Sequence, residues 1–254
     1  MTMRIIDAHS HLNLKSEAPL NDLLAEMDAC NVEKALLILN IAEEREAFIK
    51  EYKTFLSNND RFALSCGLDI NNSDSKKDLN NILDKIGKRI VIKIHPKLFR
   101  IEYRDIHKVV ESVREYKNLP IMVDSLYYGE DIEHHIGVEL SVALAREYRD
   151  RNIIVAHSGS LDFLKCMMAC RYMPHVSFDY SFIQSFFSQT SLRLDMVNFL
   201  KRTSNRIMFG SDRPSFNMKQ TINDMLSIAK EADLTDTQLD GVMYGNALKL
   251  YWES

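Results

Sequence analysis

The 254-residue chain has little that would break or tether it: eight glycines, five prolines and four cysteines. No Pro/Ser/Gly-rich linker and no shift in composition divides it, so one domain over residues 1–254 is expected, a length that suits a large α/β fold. The four cysteines suggest no disulfide framework. Cys166 and Cys170 sit one helical turn apart in an apolar segment and read as buried, reduced thiols rather than a zinc pair. Positive charge is not in excess, with 32 Lys and Arg against 36 Asp and Glu and a net charge of -4. Nucleic-acid binding therefore lacks its electrostatic footprint. No apolar run approaches the ~20 residues that span a bilayer. The first residues lack the basic-then-apolar order of a secretory signal, so the expected address is the cytoplasm.

What the chain does have is alternation. Eight apolar, β-forming runs occur at 4–9, 34–40, 61–68, 90–95, 120–125, 153–157, 175–180 and 206–211. Between them lie stretches with helical periodicity, such as 20–30, 43–56, 105–117, 138–149 and 161–172, and after the eighth run come 218–232 and 235–250. Nearly continuous hydrophobic strands are expected of a parallel sheet covered on both faces. Eight strand–helix units in about 250 residues match a (β/α)8 TIM barrel. The competitor is a doubly wound open sheet, but its Gly-x-Gly-x-x-Gly turn is absent.

Active sites of such barrels lie at the carboxyl ends of the strands. The polar residues that interrupt the apolar runs fall at those ends: His9 and His11, Lys93 and His95, Asp124, His157, and Asp212. In the first run, Ile5-Ile6-Asp7-Ala8-His9-Ser10-His11, alternation puts Ile5, Asp7, His9 and His11 on one face. Two imidazoles on one face form half of a divalent-metal site. The plainer alternative is a short strand ending in solvent. Asp7, if buried, needs a hydrogen-bond partner. In the fourth run Lys93 and His95 share a face. Lys93 either holds a substrate carboxylate or bridges toward a metal, or else snorkels to solvent. His157 is placed as a proton-transfer group, a ligand or a core histidine, and Ser160 as the cap of the following helix. Asp212 could bind a metal and accept a proton from its water, or simply sit in a loop beside Pro214. His107, His134, His135 and His175 end no strand and read as structural or exposed. Tyr127, Tyr128 and the Phe-rich stretch 182–187 either line a pocket or form a patch for self-association, so a homodimer is one expectation.

The ordered set IIDAHSHL at 5–12, IKIHP at 92–96, IIVAHSG at 153–159, FGSDRP at 209–214 and GNALKLY at 245–251 resembles the amidohydrolase superfamily. The resemblance lies in particular with the branch of aminocarboxymuconate-semialdehyde decarboxylase, and it spans nearly the whole chain. It implies a metal-dependent barrel enzyme with one zinc or similar ion. His9, His11 and Asp212 would be ligands, and His157 would polarise or protonate the reacting group. That family usually places a metal-binding histidine at the end of strand 5, where this chain has Asp124. An aspartate can ligate zinc or a harder ion such as manganese.

The expected activity is a hydrolase using metal-activated water on a small polar, carboxylate-bearing molecule, with Asp212 taking the proton. Lys93, His95 and Arg213 are candidates to bind the substrate. A decarboxylase of the same family is the nearest alternative. The substitution at strand 5 also motivates a barrel that has lost its chemistry and serves as a small-molecule binding or scaffold protein. A TatD-like deoxyribonuclease shares the opening motif, but Cys66-Gly67-Leu68-Asp69 lacks the metal-bridging glutamate expected after strand 3, and the acidic balance offers DNA little attraction.

Overall fold

The computed structural model describes residues 3–86, 89–130 and 132–253. Among these described residues eight strands occur: β1 (Ile5–His11), β2 (Val32–Leu39), β3 (Phe62–Gly67), β4 (Ile90–Ile94), β5 (Ile121–Asp124), β6 (Ile153–Ala156), β7 (Val176–Asp179) and β8 (Ile207–Met208). They follow one another in a single sheet in sequence order. This is the strand order of the (β/α)8 fold that the alternation of runs predicts. Helices separate them: α1 (Pro19–Ala29), α2 (Ala42–Lys50), α3 (Tyr52–Ser57), α4 (Ser73–Ile86), α5 (Ile106–Ser112), α6 (Gly137–Glu147), α7 (Phe163–Cys170), α8 (Ile183–Phe186), α9 (Leu192–Thr203), α10 (Met218–Glu231), α11 (Asp236–Asp240) and α12 (Asn246–Tyr251). Among the described residues no helix is long and apolar enough to cross a membrane.

The chain divides into two compact units, Met1–Ser65 with Asp179–Ser254, and Cys66–Phe178. In the first, β1 and β2 run parallel, and Leu36, Leu37, Ile38 and Leu39 of β2 are wholly buried. Pro19 opens α1, where its missing N–H costs nothing, and Leu20, Leu23 and Met27 recur at helical spacing and are buried. The predicted 43–56 helix is split into α2 and α3. Asn217 caps α10 by accepting from the Gln220 N–H at 3.2 Å. Strand β8 has only two residues, against the six expected. Beyond it the chain still runs beside β1, although Asp212 takes a left-handed φ of 55°: Ala8 N–H donates to the Phe209 carbonyl (2.9 Å), Asp212 N–H to the His9 carbonyl (2.8 Å) and His11 N–H to the Arg213 carbonyl (3.0 Å). Asp212 therefore lies well past its strand yet level with both histidines.

The second unit holds β4 to β6 and β7 as far as Phe178. Lys93 pairs with Met122 and Ile94 with Val123 across β4 and β5, and Ile121–Asp124 pairs with Ile153–Ala156 across β5 and β6. Isoleucine and valine of all three strands are buried, as a sheet covered on both faces requires. Cys166 and Cys170 of α7 are buried free thiols, as expected. The Ser160 expectation fails: α7 begins after Asp162, and Ser160 lies in a tight turn.

Candidate metal centre and the Asp124 cluster

In the first unit the two histidines are held from behind by carboxylates. His9 Nδ1 lies 3.0 Å from Asp179 Oδ2, and His11 Nδ1 lies 3.1 Å from Glu44 Oε1. An ionised carboxylate only accepts, so each Nδ1 carries the ring proton and each Nε2 keeps its lone pair. Both Nε2 atoms face the same oxygen, Asp212 Oδ1, at 3.5 Å for His9 and 3.8 Å for His11. Those separations are long for hydrogen bonds but suit ligands about 2 Å from a shared cation. The three ligand atoms lie within 4.8 Å of one another. The His11 side chain is 19% exposed and that of His9 only 1%, so solvent reaches the group at His11.

A carboxylate framework fixes this group. Ser181 Oγ donates to Asp179 Oδ1. Glu44 spends its other oxygen on the Asn40 and Ile41 N–H groups at the start of α2. Burial pushes the Glu44 carboxyl up, but the bond to His11 and these N–H groups outweigh it and hold it below the usual range. Asp7 is wholly buried and does find its partners: it accepts from Ser211 N–H (2.8 Å), Ser211 Oγ (2.5 Å) and His9 N–H (3.1 Å). Burial still dominates there and pushes its carboxyl up to about 6. A Cβ at residue 210 would lie 2.7 Å from His9 Cβ, so only glycine lets the chain pass this close to the imidazole. Arg213 is buried, with Nε on Glu26 Oε2 (2.8 Å) and Nη1 on the His11 carbonyl (3.0 Å).

The second unit gathers the other expected site residues. Asp124 ends β5, and its Oδ2 lies 3.2 Å from Lys93 Nζ, 3.3 Å from His157 Nε2 and 3.7 Å from His95 Nε2. Its Oδ1 accepts from the Tyr128 hydroxyl and the Leu126 N–H, each at 3.2 Å. Tyr128 OH is also 3.2 Å from His95 Nε2. Lys93 is wholly buried, which ends the snorkelling alternative. Burial pushes the Asp124 carboxyl up, but His95, Lys93 and His157 together hold it well below the usual carboxylate range. His157 to Ser160 take successive positive φ values (57°, 49°, 86° and 49°), conformations costly for all but Gly159. The turn is pinned where Gly159 N–H donates to Ser125 Oγ at 2.8 Å.

The structure thus brings His9, His11 and Asp212 together, and it brings Lys93, His95, Asp124 and His157 together. Sequence reasoning missed Asp179 and Glu44. Asp179 ends β7 and falls under the same end-of-strand rule as the others. Glu44 carries only the signal of an acidic residue in the first turn of a helix. Of the remaining histidines, His175 Nε2 meets the Ala145 carbonyl at 2.9 Å and His134 Nδ1 that of Ile101 at 3.3 Å, both structural.

The sequence profile of the amidohydrolase family matches residues 88–252. No curated protein sequence matches the chain. Among solved structures, an uncharacterized TIM-barrel protein from Bordetella bronchiseptica is 14% identical with a TM-score of 0.74, covering 98% of each chain. A probable 2-pyrone-4,6-dicarboxylic acid hydrolase from Acinetobacter baumannii, with citric acid bound, is 14% identical with a TM-score of 0.64, covering 98% of this chain and 99% of that one. A TatD-family hydrolase from Entamoeba histolytica is 10% identical with a TM-score of 0.66, covering 100% of both. At such identities the likeness speaks to the fold, which is the (β/α)8 TIM barrel.

Proposed function

Because the chain belongs to the amidohydrolase family, we propose that it is a hydrolase of a small polar molecule that holds one divalent cation on His9, His11 and Asp212. The observation that carries this reading is the convergence of two carboxylate-backed imidazoles on one oxygen of Asp212. Two imidazoles and a carboxylate form a donor set that suits zinc, with manganese the harder alternative. When bound, such a cation polarises a carbonyl and brings the pKa of water toward neutrality.

The chain's own residues do the rest. Asp179 and Glu44 fix the tautomer and the ring orientation of His9 and His11. Asp212 turns one oxygen to the histidines, and its other oxygen is the acceptor for the proton of the attacking water. His157, which the resemblance assigns to the reacting group, is held by Asp124 so that its ring cannot rotate away. The dicarboxylic substrate named for the Acinetobacter neighbour supports a carboxylate-bearing substrate and hydrolysis over decarboxylation.

Metal analysis of the purified protein should return about one equivalent of zinc or manganese. The variants His9→Ala and Asp212→Asn should lose both the metal and the turnover of a panel of lactones, esters and amides. Unchanged metal and turnover in both variants would overturn the proposal.

A further inference from the structure

Lys93 lies opposite Met122 in the β4–β5 register. Strand alternation puts Asp124 on the same face as Met122, one step further along. The four-carbon lysine stem covers that step, and its Nζ lies 3.6 Å from Met122 Sδ, to which it donates, and 3.2 Å from Asp124 Oδ2. The ammonium is completely enclosed, and a charge so enclosed must be matched by an opposite one.

We infer that Lys93 is the resident cation of the Asp124 cluster, so that Asp124 is not a metal ligand. Three observations support this. Both Asp124 oxygens are already engaged, Oδ2 by Lys93, His157 and His95 and Oδ1 by Tyr128 and Leu126. A metal ion about 2 Å from Oδ2 would lie about 4 Å from the ammonium, with little water to screen the repulsion. Among the described residues, Asp124 belongs to no group of three His, Cys, Asp or Glu donors whose ligand atoms lie within 4.8 Å of one another. The aspartate where a metal-binding histidine is expected is therefore one half of an internal pair whose other half is on β4. Its role is to position His157 and Tyr128.

The inference rests on the metal-centre reading for the value expected of the wild type. Chelator-stripped protein is titrated with zinc for the wild type, Asp124→Asn and the double variant Lys93→Met with Asp124→Asn, with circular dichroism to report folding. Wild type and double variant should each bind about one equivalent with the same affinity. Asp124→Asn should do the same if it folds, and if it does not, the double variant decides. A folded variant that has lost its zinc overturns the inference, because Asp124 would then be a ligand. A double variant that fails to fold overturns it too, since the pair would not be self-contained. A wild type that takes up no zinc overturns the functional reading and this inference together, whereas loss only in the variants overturns this inference alone.

Discussion

Around His9 and His11 the carboxylates stand outside. Asp179 and Glu44 each take an Nδ1, and the imidazoles turn their Nε2 atoms inward to one oxygen of Asp212. Around Asp124 the arrangement is inverted, with a carboxylate at the centre and Lys93, His157, His95 and Tyr128 pointed at it. The same residue types yield lone pairs aimed at a common point in one unit and a set of protons aimed at a common carboxylate in the other. The difference lies in which group is central and whether a permanent cation is already present. Asp7 and Asp124 are both buried, yet the first is pushed up to about 6 and the second is held well down, because burial outweighs the Ser211 and His9 hydrogen bonds and the Arg213 charge at Asp7, whereas His95, Lys93 and His157 outweigh burial at Asp124.

The sharpest way to break this contrast is to remove one charge of the Lys93–Asp124 pair. Lys93→Met strands a buried carboxylate and Asp124→Asn strands a buried ammonium, and each should lower unfolding free energy by about 3–5 kcal/mol. The double variant should recover most of that loss, because no unmatched charge remains. Urea denaturation of the four proteins gives the coupling directly. Additive losses would mean that the two groups do not depend on one another.

A smaller effect is expected behind the histidines. Asp179→Asn and Glu44→Gln remove the charge that fixes each Nδ1–H but leave all three proposed ligands in place. Zinc affinity should fall about 10–100-fold in each, read by competition with a chromophoric chelator. The Asp124→Asn variant, in the same assay, should not move. If all three lose affinity alike, the two clusters are not the separate kinds of site described above.

Much of this contrast is legible in the sequence, but unevenly. His9, His11, Asp124, His157 and Asp212 stand out because each ends an apolar run or follows one closely, and a parallel sheet delivers such residues to one edge. What each one meets is not legible. Lys93 alone permits a snorkelling lysine or a buried one, and the deciding partner is on the next strand, fixed by register rather than by local pattern. Glu44 is hidden because its local context, an acidic side chain at a helix start, is already explained by capping. Helix α4 passes unnoticed among Asp, Lys and Asn residues. That β8 spans only Ile207–Met208 is a boundary no periodicity reports.

The smallest predicted effect isolates what both clusters share, the cost of burial itself. The Tyr116 hydroxyl is buried with no hydrogen-bond partner among the described residues. Burial, helped by the nearby Glu115 charge, pushes its pKa up to about 12, with no cation to pull it back as at Asp124. The folded state therefore keeps this proton where the unfolded chain releases it. The associated stability is intact below about pH 10 and is lost as pH rises toward about 12. Tyr116→Phe removes a buried polar atom that has nothing to bond. It should leave stability at neutral pH within about 1 kcal/mol of wild type or raise it. Urea midpoints at about pH 9 and about pH 11 should then fall less in the variant than in the wild type. Equal falls would mean that the hydroxyl ionises as freely in the folded chain as in the unfolded one. Burial alone would then be too weak to account for the upward shift at Asp7, and the contrast with Asp124 would have to rest on its cations only.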